Sequence, residues 1–215
     1  MPLIGDHAPE FHAMTTQGKI DFPADYKGSW VVLFSHPADF TPVCTTEFIA
    51  LSRMNETFES LNTKLIGLSI DSLHSHLGWI KSIEALNFNN EGKVKIPFPI
   101  IADISMTVAR KYGMLQTVAN TQTVRAVFII DPEGIIRTIL YYPMSTGRNI
   151  PEIIRILQSL QLNDKTHYST PANWQPGDDV VMGAPLTIEE AQERLESSDN
   201  TIKPLDWYLT MKKMK

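Results

Sequence analysis

Trp30-Val31-Val32-Leu33-Phe34-Ser35 is a nearly continuous apolar run, followed after a short polar loop by a long amphipathic stretch. A run of that kind reads as a strand buried on both faces. His36 to Thr41 is the loop. From Pro42 to about Leu61, Phe48, Leu51, Met54, Phe58 and Leu61 recur at three- and four-residue steps, which predicts a helix with one buried face. Lys64 to Ile70 reads as a second strand, and Asp71-Ser72 can cap a helix reaching about Leu86. Asn87 to Lys95 is polar loop. Phe98 to Ala102 is a short strand whose neighbours Pro97 and Pro99 suggest a sheet edge or a strand start. Ser105 to Tyr112 is a short helix stopped by Gly113. Arg125 to Ile130 is another buried strand, and the turn Asp131-Pro132-Glu133-Gly134 returns Ile135 to Tyr142 as its antiparallel partner. Ile150 to Leu162 is amphipathic and helical. This order defines an α/β chain: a mixed β-sheet flanked by helices. In such sheets chemistry sits beyond the carboxyl ends of strands, where the loop His36–Thr41 falls.

That loop leads into Thr41-Pro42-Val43-Cys44, and Cys44 is the only cysteine. Thr41 precedes proline and is pushed out of the α region, which suits an N-cap whose hydroxyl accepts a first-turn N–H. Pro42 fits the first helical position, so Cys44 falls at the third. A sulfur there sits among unsatisfied amides at the positive end of the helix dipole, a setting that favours thiolate. The dipole contributes about 0.3–1 kcal/mol at an exposed site. Making the thiolate the major form at neutral pH takes roughly 3 kcal/mol. A cation from elsewhere in the chain must therefore reach the sulfur. The alternative is a buried structural cysteine acting as a small hydrophobe.

The composition, 43% apolar and 20% charged, is enough for a real core. A net charge of −5 gives no footprint for nucleic acid or an anionic membrane. One cysteine excludes an internal disulfide and the usual cysteine-based zinc sites. The N-terminus has no basic region and no apolar signal core, and no apolar run is long enough to span a bilayer. A cytoplasmic protein is expected. His74 and His76 lie two positions apart on a helix and read as solvated side chains facing different ways, and neither metal nor cofactor is expected.

Beyond about residue 163 the composition changes to prolines, aspartates and isolated aromatics, with a short helix from about Ile188 to Leu195 capped by Thr187. We expect two parts: a domain over 1–163 and a C-terminal arm over 164–215. Trp174, Trp207 and Tyr208 are costly to leave in water, so the arm is expected to pack on another subunit.

Read as one unit, Pro37-Ala38-Asp39-Phe40-Thr41-Pro42-Val43-Cys44 resembles the peroxidatic motif of peroxiredoxins. The wider string Phe34 to Glu47 is similar to the one-cysteine subfamily. The similarity continues through Arg125 to Asp131, Thr146-Gly147-Arg148-Asn149, and Pro171 to Asp179. The resemblance implies a thioredoxin-like fold and thiol-dependent reduction of hydrogen peroxide or organic hydroperoxides. It makes Cys44 the peroxidatic cysteine, which becomes a sulfenic acid. It makes Thr41 the hydroxyl that bonds the peroxide, Pro37 the shield of the pocket, and Arg125 the cation against the thiolate. It also implies homodimers able to assemble into decamers.

Other positions keep two readings. Arg148 matches a second arginine of the family pocket, or pairs with Glu152 on the surface. Glu47 orients Arg125, or is an ordinary first-turn acid. His36 assists the sulfenic acid, or fills space near it. Two-cysteine relatives carry a resolving cysteine, and this chain has none, so an external thiol, or Cys44 of another subunit, must reduce the Cys44 sulfenic acid. Some one-cysteine relatives are phospholipases through Gly-x-Ser-x-Gly. Here Lys27-Gly28-Ser29-Trp30-Val31 lacks that setting, and Ser29 reads as bordering the strand. An oligomeric redox-sensing chaperone on the same fold is the competing function.

Overall fold

The chain enters the fold through a hairpin, strands Phe11–Thr15 (β1) and Gly18–Phe22 (β2), paired antiparallel from Phe11↔Phe22 to Thr15↔Gly18. A computed structural model describes residues 1–115 and 122–214. Gly18, at φ 108, closes the turn in a conformation that favours glycine. Periodicity gives no warning of this hairpin, because in β1 only Phe11 and Thr15 are buried and the alternation is faint.

Then follow Trp30–Ser35 (β3), helices Pro42–Arg53 (α1) and Asn55–Ser60 (α2), Thr63–Ser69 (β4), helix Leu73–Ala85 (α3) and Ile100–Ala102 (β5). Helix Thr107–Lys111 (α4), Arg125–Ile130 (β6) and Ile136–Tyr142 (β7) complete this part. The sheet has the order β2-β1-β5-β4-β3-β6-β7. β3 pairs in parallel with β4, and β4 with β5, while β6 runs antiparallel to both β3 and β7. This is the mixed sheet flanked by helices that the element order predicts.

Two expectations need correction here. The helix from Pro42 does not run unbroken to Leu61: Met54 has φ −96 and ψ 6, and α1 gives way to α2. Phe58 stays buried at helical spacing, so periodicity cannot see a one-residue interruption. β5 is not an edge strand, since it lies between β1 and β4. Pro97 and Pro99 precede its paired residues and mark a start, and the Pro99 carbonyl accepts the Gly67 N–H.

Every residue of β3 and β6 is buried, and their side chains alternate between two apolar layers. Val31, Leu33, Ala126, Phe128 and Ile130 join one cluster with Phe11, Phe22, Val108 and Tyr112. On the other face Phe34 packs edge-on against Phe48 and Phe98, and Phe48 lies 4.6 Å from the Trp79 ring. α1 and α3 are thereby held over the sheet by their aromatic residues.

The chain divides into two compact units, Met1–Ile150 and Pro151–Lys215. The second contains nearly all of helix Ile150–Thr166 (α5). After it come a three-stranded sheet of Val180–Val181 (β8), Ile202–Pro204 (β9) and Thr210–Lys212 (β10) in the order β8-β10-β9, and helix Ile188–Leu195 (α6). Thr187 caps α6 by accepting the Glu190 N–H at 3.1 Å. The small sheet is not legible as strands in so short and polar a segment. Trp174 is buried, its indole N–H donating to the Asp178 carbonyl, whereas Trp207 and Tyr208 are about half exposed. Trp174 therefore cannot be one of the aromatics that a second subunit must cover.

Candidate active site

Three strand ends build the site. β3 runs into the loop His36–Thr41 and then α1, with Thr41 extended at φ −109, Pro42 at the first helical position and Cys44 at the third. β6 is antiparallel to β3 in the register Phe34↔Val127, which brings Arg125 to the carboxyl end of β3. β7 runs antiparallel to β6, so its continuation, with Met144 and Arg148, returns to the same end. Cys44, Arg125 and Arg148 are distant in sequence and adjacent because of this register.

The Cys44 side chain is fully buried. Arg125 Nη1 lies 3.1 Å from its Sγ and 2.8 Å from Glu47 Oε2. The rest of that guanidinium donates to the Met144 carbonyl through Nε and Nη2. Arg148 grips the same carboxylate: its backbone N–H and Nε each lie 2.9 Å from Glu47 Oε1, and Nη2 lies 2.7 Å from Oε2. Its Nη1 donates to the Ser35 and Ala126 carbonyls, and the guanidinium stacks over the Phe34 ring at 5.1 Å. Two buried cations thus face one carboxylate, and the sulfur touches the cation left partly uncompensated. Arg148 is a buried partner of Glu47 rather than a surface cation, and Glu152 pairs with Arg155. Glu47 is the brace between two arginines rather than an ordinary first-turn acid.

Thr41 occupies the N-cap position, but its hydroxyl donates to the Ala38 carbonyl at 2.8 Å instead of capping the helix. The bond turns the hydroxyl inward along the loop and leaves its oxygen as an acceptor. Pro37 is buried. His36 is fully buried, with Nε2 2.9 Å from Asp39 Oδ1 and its ring packed against Phe48 and Trp79. Its Nδ1 has no hydrogen-bond partner among the described residues. Burial pushes the ring below the ordinary histidine range, against the opposing bond to Asp39.

Asp39 and His76 are the residues that sequence reasoning missed. His76 is not solvated. It is buried, with Nδ1 2.8 Å from Asp39 Oδ2 and Nε2 3.1 Å from the Ile101 carbonyl. Its spacing to Trp79 and Ile83, both buried on the same face of α3, was the available signal. His74 is exposed. Burial would raise the Asp39 carboxyl, but the hydrogen bonds from His36 and His76 prevail and hold it well below the usual range. The ligating atoms of His36, Asp39 and His76 lie within 4.8 Å of one another. Ring-to-carboxylate hydrogen bonds at 2.8–3.0 Å account for that spacing. Among the described residues no helix is long and apolar enough to cross a membrane.

A lone buried cysteine at a helix N-terminus, touched by arginine on a mixed α/β sheet, defines a thiol-based redox enzyme of thioredoxin-like fold. Residues 4–139 match the AhpC/TSA family, and residues 159–198 match the C-terminal domain of 1-Cys peroxiredoxin. A peroxiredoxin of Methanosarcina mazei is 58% identical, covering 99% of this chain and 98% of the relative. One of Aquifex aeolicus is 47% identical over 100% and 98%. Among solved structures, a yeast mitochondrial 1-Cys peroxiredoxin superposes with a TM-score of 0.86 at 41% identity. A cysteine-to-serine mutant of the peroxiredoxin 6 of Arenicola marina superposes with 0.84 at 36%. Both cover 100% of each chain. The chain belongs to the peroxiredoxins, in the one-cysteine subfamily, and is a thiol-dependent peroxidase.

Proposed function

We propose that the chain reduces hydrogen peroxide and organic hydroperoxides at Cys44 through a sulfenic acid that an external thiol regenerates. The observation that carries this is the 3.1 Å contact of Arg125 with Sγ inside a buried group of two guanidiniums and one carboxylate. A thiolate completes the charge balance, and a guanidinium stabilises it without ever protonating it. The thiolate attacks the hydroxyl oxygen of the peroxide. The S–O bond forms, the O–O bond breaks, and the leaving hydroxide or alkoxide takes a proton from water. Cys44 remains as the sulfenic acid. Thr41, its hydrogen committed to Ala38, offers an oxygen that accepts from the peroxide hydroxyl. Arg125 lies near the breaking bond, where charge develops. Pro37 shields the pocket, Glu47 and Arg148 hold Arg125 in place, and His36 lines the same region.

The regenerating thiol is expected in a reducing compartment, the cytoplasm, where free cysteines persist. The yeast relative is described as resolved via glutathione/thioredoxin systems, and a small or protein thiol of that chemistry fits here. The arm after residue 163 is proposed to seat a homodimer, with decamers as a further step. Leu186, Ile188, Leu205, Trp207 and Tyr208 are exposed there. The first experiment compares thiol-dependent peroxide consumption by wild type and Cys44→Ser, with mass spectrometry of Cys44 after one equivalent of peroxide. Loss of turnover and a trappable sulfenic acid are expected. Turnover retained in Cys44→Ser, or a thiol that survives peroxide, overturns the reading.

A further inference from the structure

Cys44 is fully buried, so a peroxide of two oxygens and a thiol of much larger size meet different obstacles at the same sulfur. The first turn of α1 and the loop before it must open for the thiol. Among the described residues, the loop over 37–41 is bonded to other elements from the α3 side, whereas α1 is held from the other side too, by Arg125 at Cys44 and by Arg125 and Arg148 at Glu47. His76, on α3, bonds the Asp39 carboxylate at 2.8 and 3.0 Å. Trp79, one turn further, donates its indole N–H to Thr45 Oγ1 at 3.2 Å. Asp71, just before α3, accepts the Asp39 N–H at 3.0 Å. The Phe40 ring lies beside α3 at Gly78, where a Cβ would stand 3.6 Å from it. On the opposite side, Thr123 donates to the carbonyl of His36, the first residue of the loop, and Arg148 to that of Ser35 at the end of β3.

Both ring nitrogens of His76 lie against oxygens, the Asp39 carboxylate and the Ile101 carbonyl, and the side chain is fully buried, so the tie to Asp39 is shielded from water.

Resting on the peroxidase reading above, we propose that α3 is the latch of the Cys44 loop. His76 through Asp39, and Trp79 through Thr45, are positioning residues that set how fast the oxidised sulfur opens to a thiol. In the open state a thiol RSH displaces hydroxide from the sulfenic sulfur. An S–S bond forms, the S–O bond breaks, and the thiol proton leaves with the oxygen as water. A second thiol then attacks the mixed disulfide, freeing Cys44 as thiol and leaving RSSR. In the closed state only a second peroxide reaches the sulfur, which it oxidises to sulfinic acid while being reduced to water or alcohol. The latch therefore sets the partition between recovery and overoxidation.

The test uses the full chain with His76→Leu, His76→Asn and Thr45→Val. In Asn the amide N–H takes the place of Nδ1–H; Val keeps the shape of Thr without its oxygen. Quenched-flow mass spectrometry measures the reaction of reduced Cys44 with hydrogen peroxide, then that of the sulfenic acid with dithiothreitol and with glutathione. Hydrogen exchange follows residues 38–48. In His76→Leu the thiol step should rise about tenfold or more, with faster exchange and a smaller sulfinic fraction, while the peroxide step changes less than about threefold. Thr45→Val should shift the same way by about threefold, and His76→Asn should stay near wild type. An unchanged thiol step in both His76→Leu and Thr45→Val overturns the latch, as does His76→Asn matching His76→Leu. If His76→Leu fails to fold, Thr45→Val decides alone. Wild-type Cys44 that ignores peroxide would instead defeat the peroxidase reading, a separate and earlier failure.

Discussion

At Cys44 the outcome depends on how charge is distributed over a few side chains. Arg125 is held by Glu47 and the Met144 carbonyl, and its remaining N–H direction meets the sulfur. Arg125→Met keeps the bulk and removes the charge, so the second-order reaction with peroxide should fall by about 10²–10³, measured by stopped flow. An unchanged rate in the folded variant would place Arg125 outside the chemistry. Glu47→Gln leaves two buried guanidiniums without their shared anion, and denaturant unfolding should show a loss of about 3–5 kcal/mol. The histidine–aspartate cluster, which also faces Asp71 and Arg148, makes stability depend on acid. His36 is held low by burial, so its contribution is complete above about pH 6.5 and is lost as pH falls below that value. The Asp39 carboxyl is also held low, so its share is complete above about pH 4 and is lost on further acidification. Melting temperature should therefore drop below about pH 6.5 and again below about pH 4, with the second drop reduced in Asp39→Asn. A flat profile between pH 7 and 3 would refute this.

Among the elements, β6 and α3 carry contrasting kinds of support. β6 is paired on both sides and wholly buried, and Phe128 in it meets Tyr112 edge-on at 5.1 Å. Phe128→Ala should cost about 3–5 kcal/mol by chemical denaturation, from lost burial and the cavity left behind. α3 starts at Ser72, whose hydroxyl accepts the Ser75 N–H at 3.1 Å. Ser72→Ala should cost about 1 kcal/mol, and a loss well beyond that would mean the cap also supports the neighbouring loop. Both elements are legible from periodicity and capping residues. What periodicity could not supply was the identity of the neighbours of α3. His76 looked like a solvated polar residue because a histidine's value to a fold depends on which acceptors surround it.

At the scale of the molecule, the second unit has its own small sheet and a capped helix, and still exposes Leu186, Ile188, Leu205, Trp207 and Tyr208. That much apolar surface on one short segment fits an assembly contact. Light scattering of the full chain should report a dimer or larger, and removal of residues 164–215 should shift it toward monomer. A monomeric full chain, or an oligomer indifferent to the truncation, would count against the proposal.

The sequence by itself determined the α/β class, the strands Trp30–Ser35 and Arg125–Ile130, and the placing of Cys44 at the third position of a helix. These are local properties, written in apolar spacing and in the stereochemistry of Thr-Pro. It also led from helix-dipole magnitudes to the need for a distant cation. Only the tertiary structure decided how that cation is held. Antiparallel register carries Arg125 and Arg148 to the carboxyl end of β3, where one carboxylate, Glu47, braces both. It also decided that Asp39 and His76 meet, 37 positions apart in the chain. Hydrogen-bond partners and burial depend on contacts between elements, and no spacing along a single element encodes them.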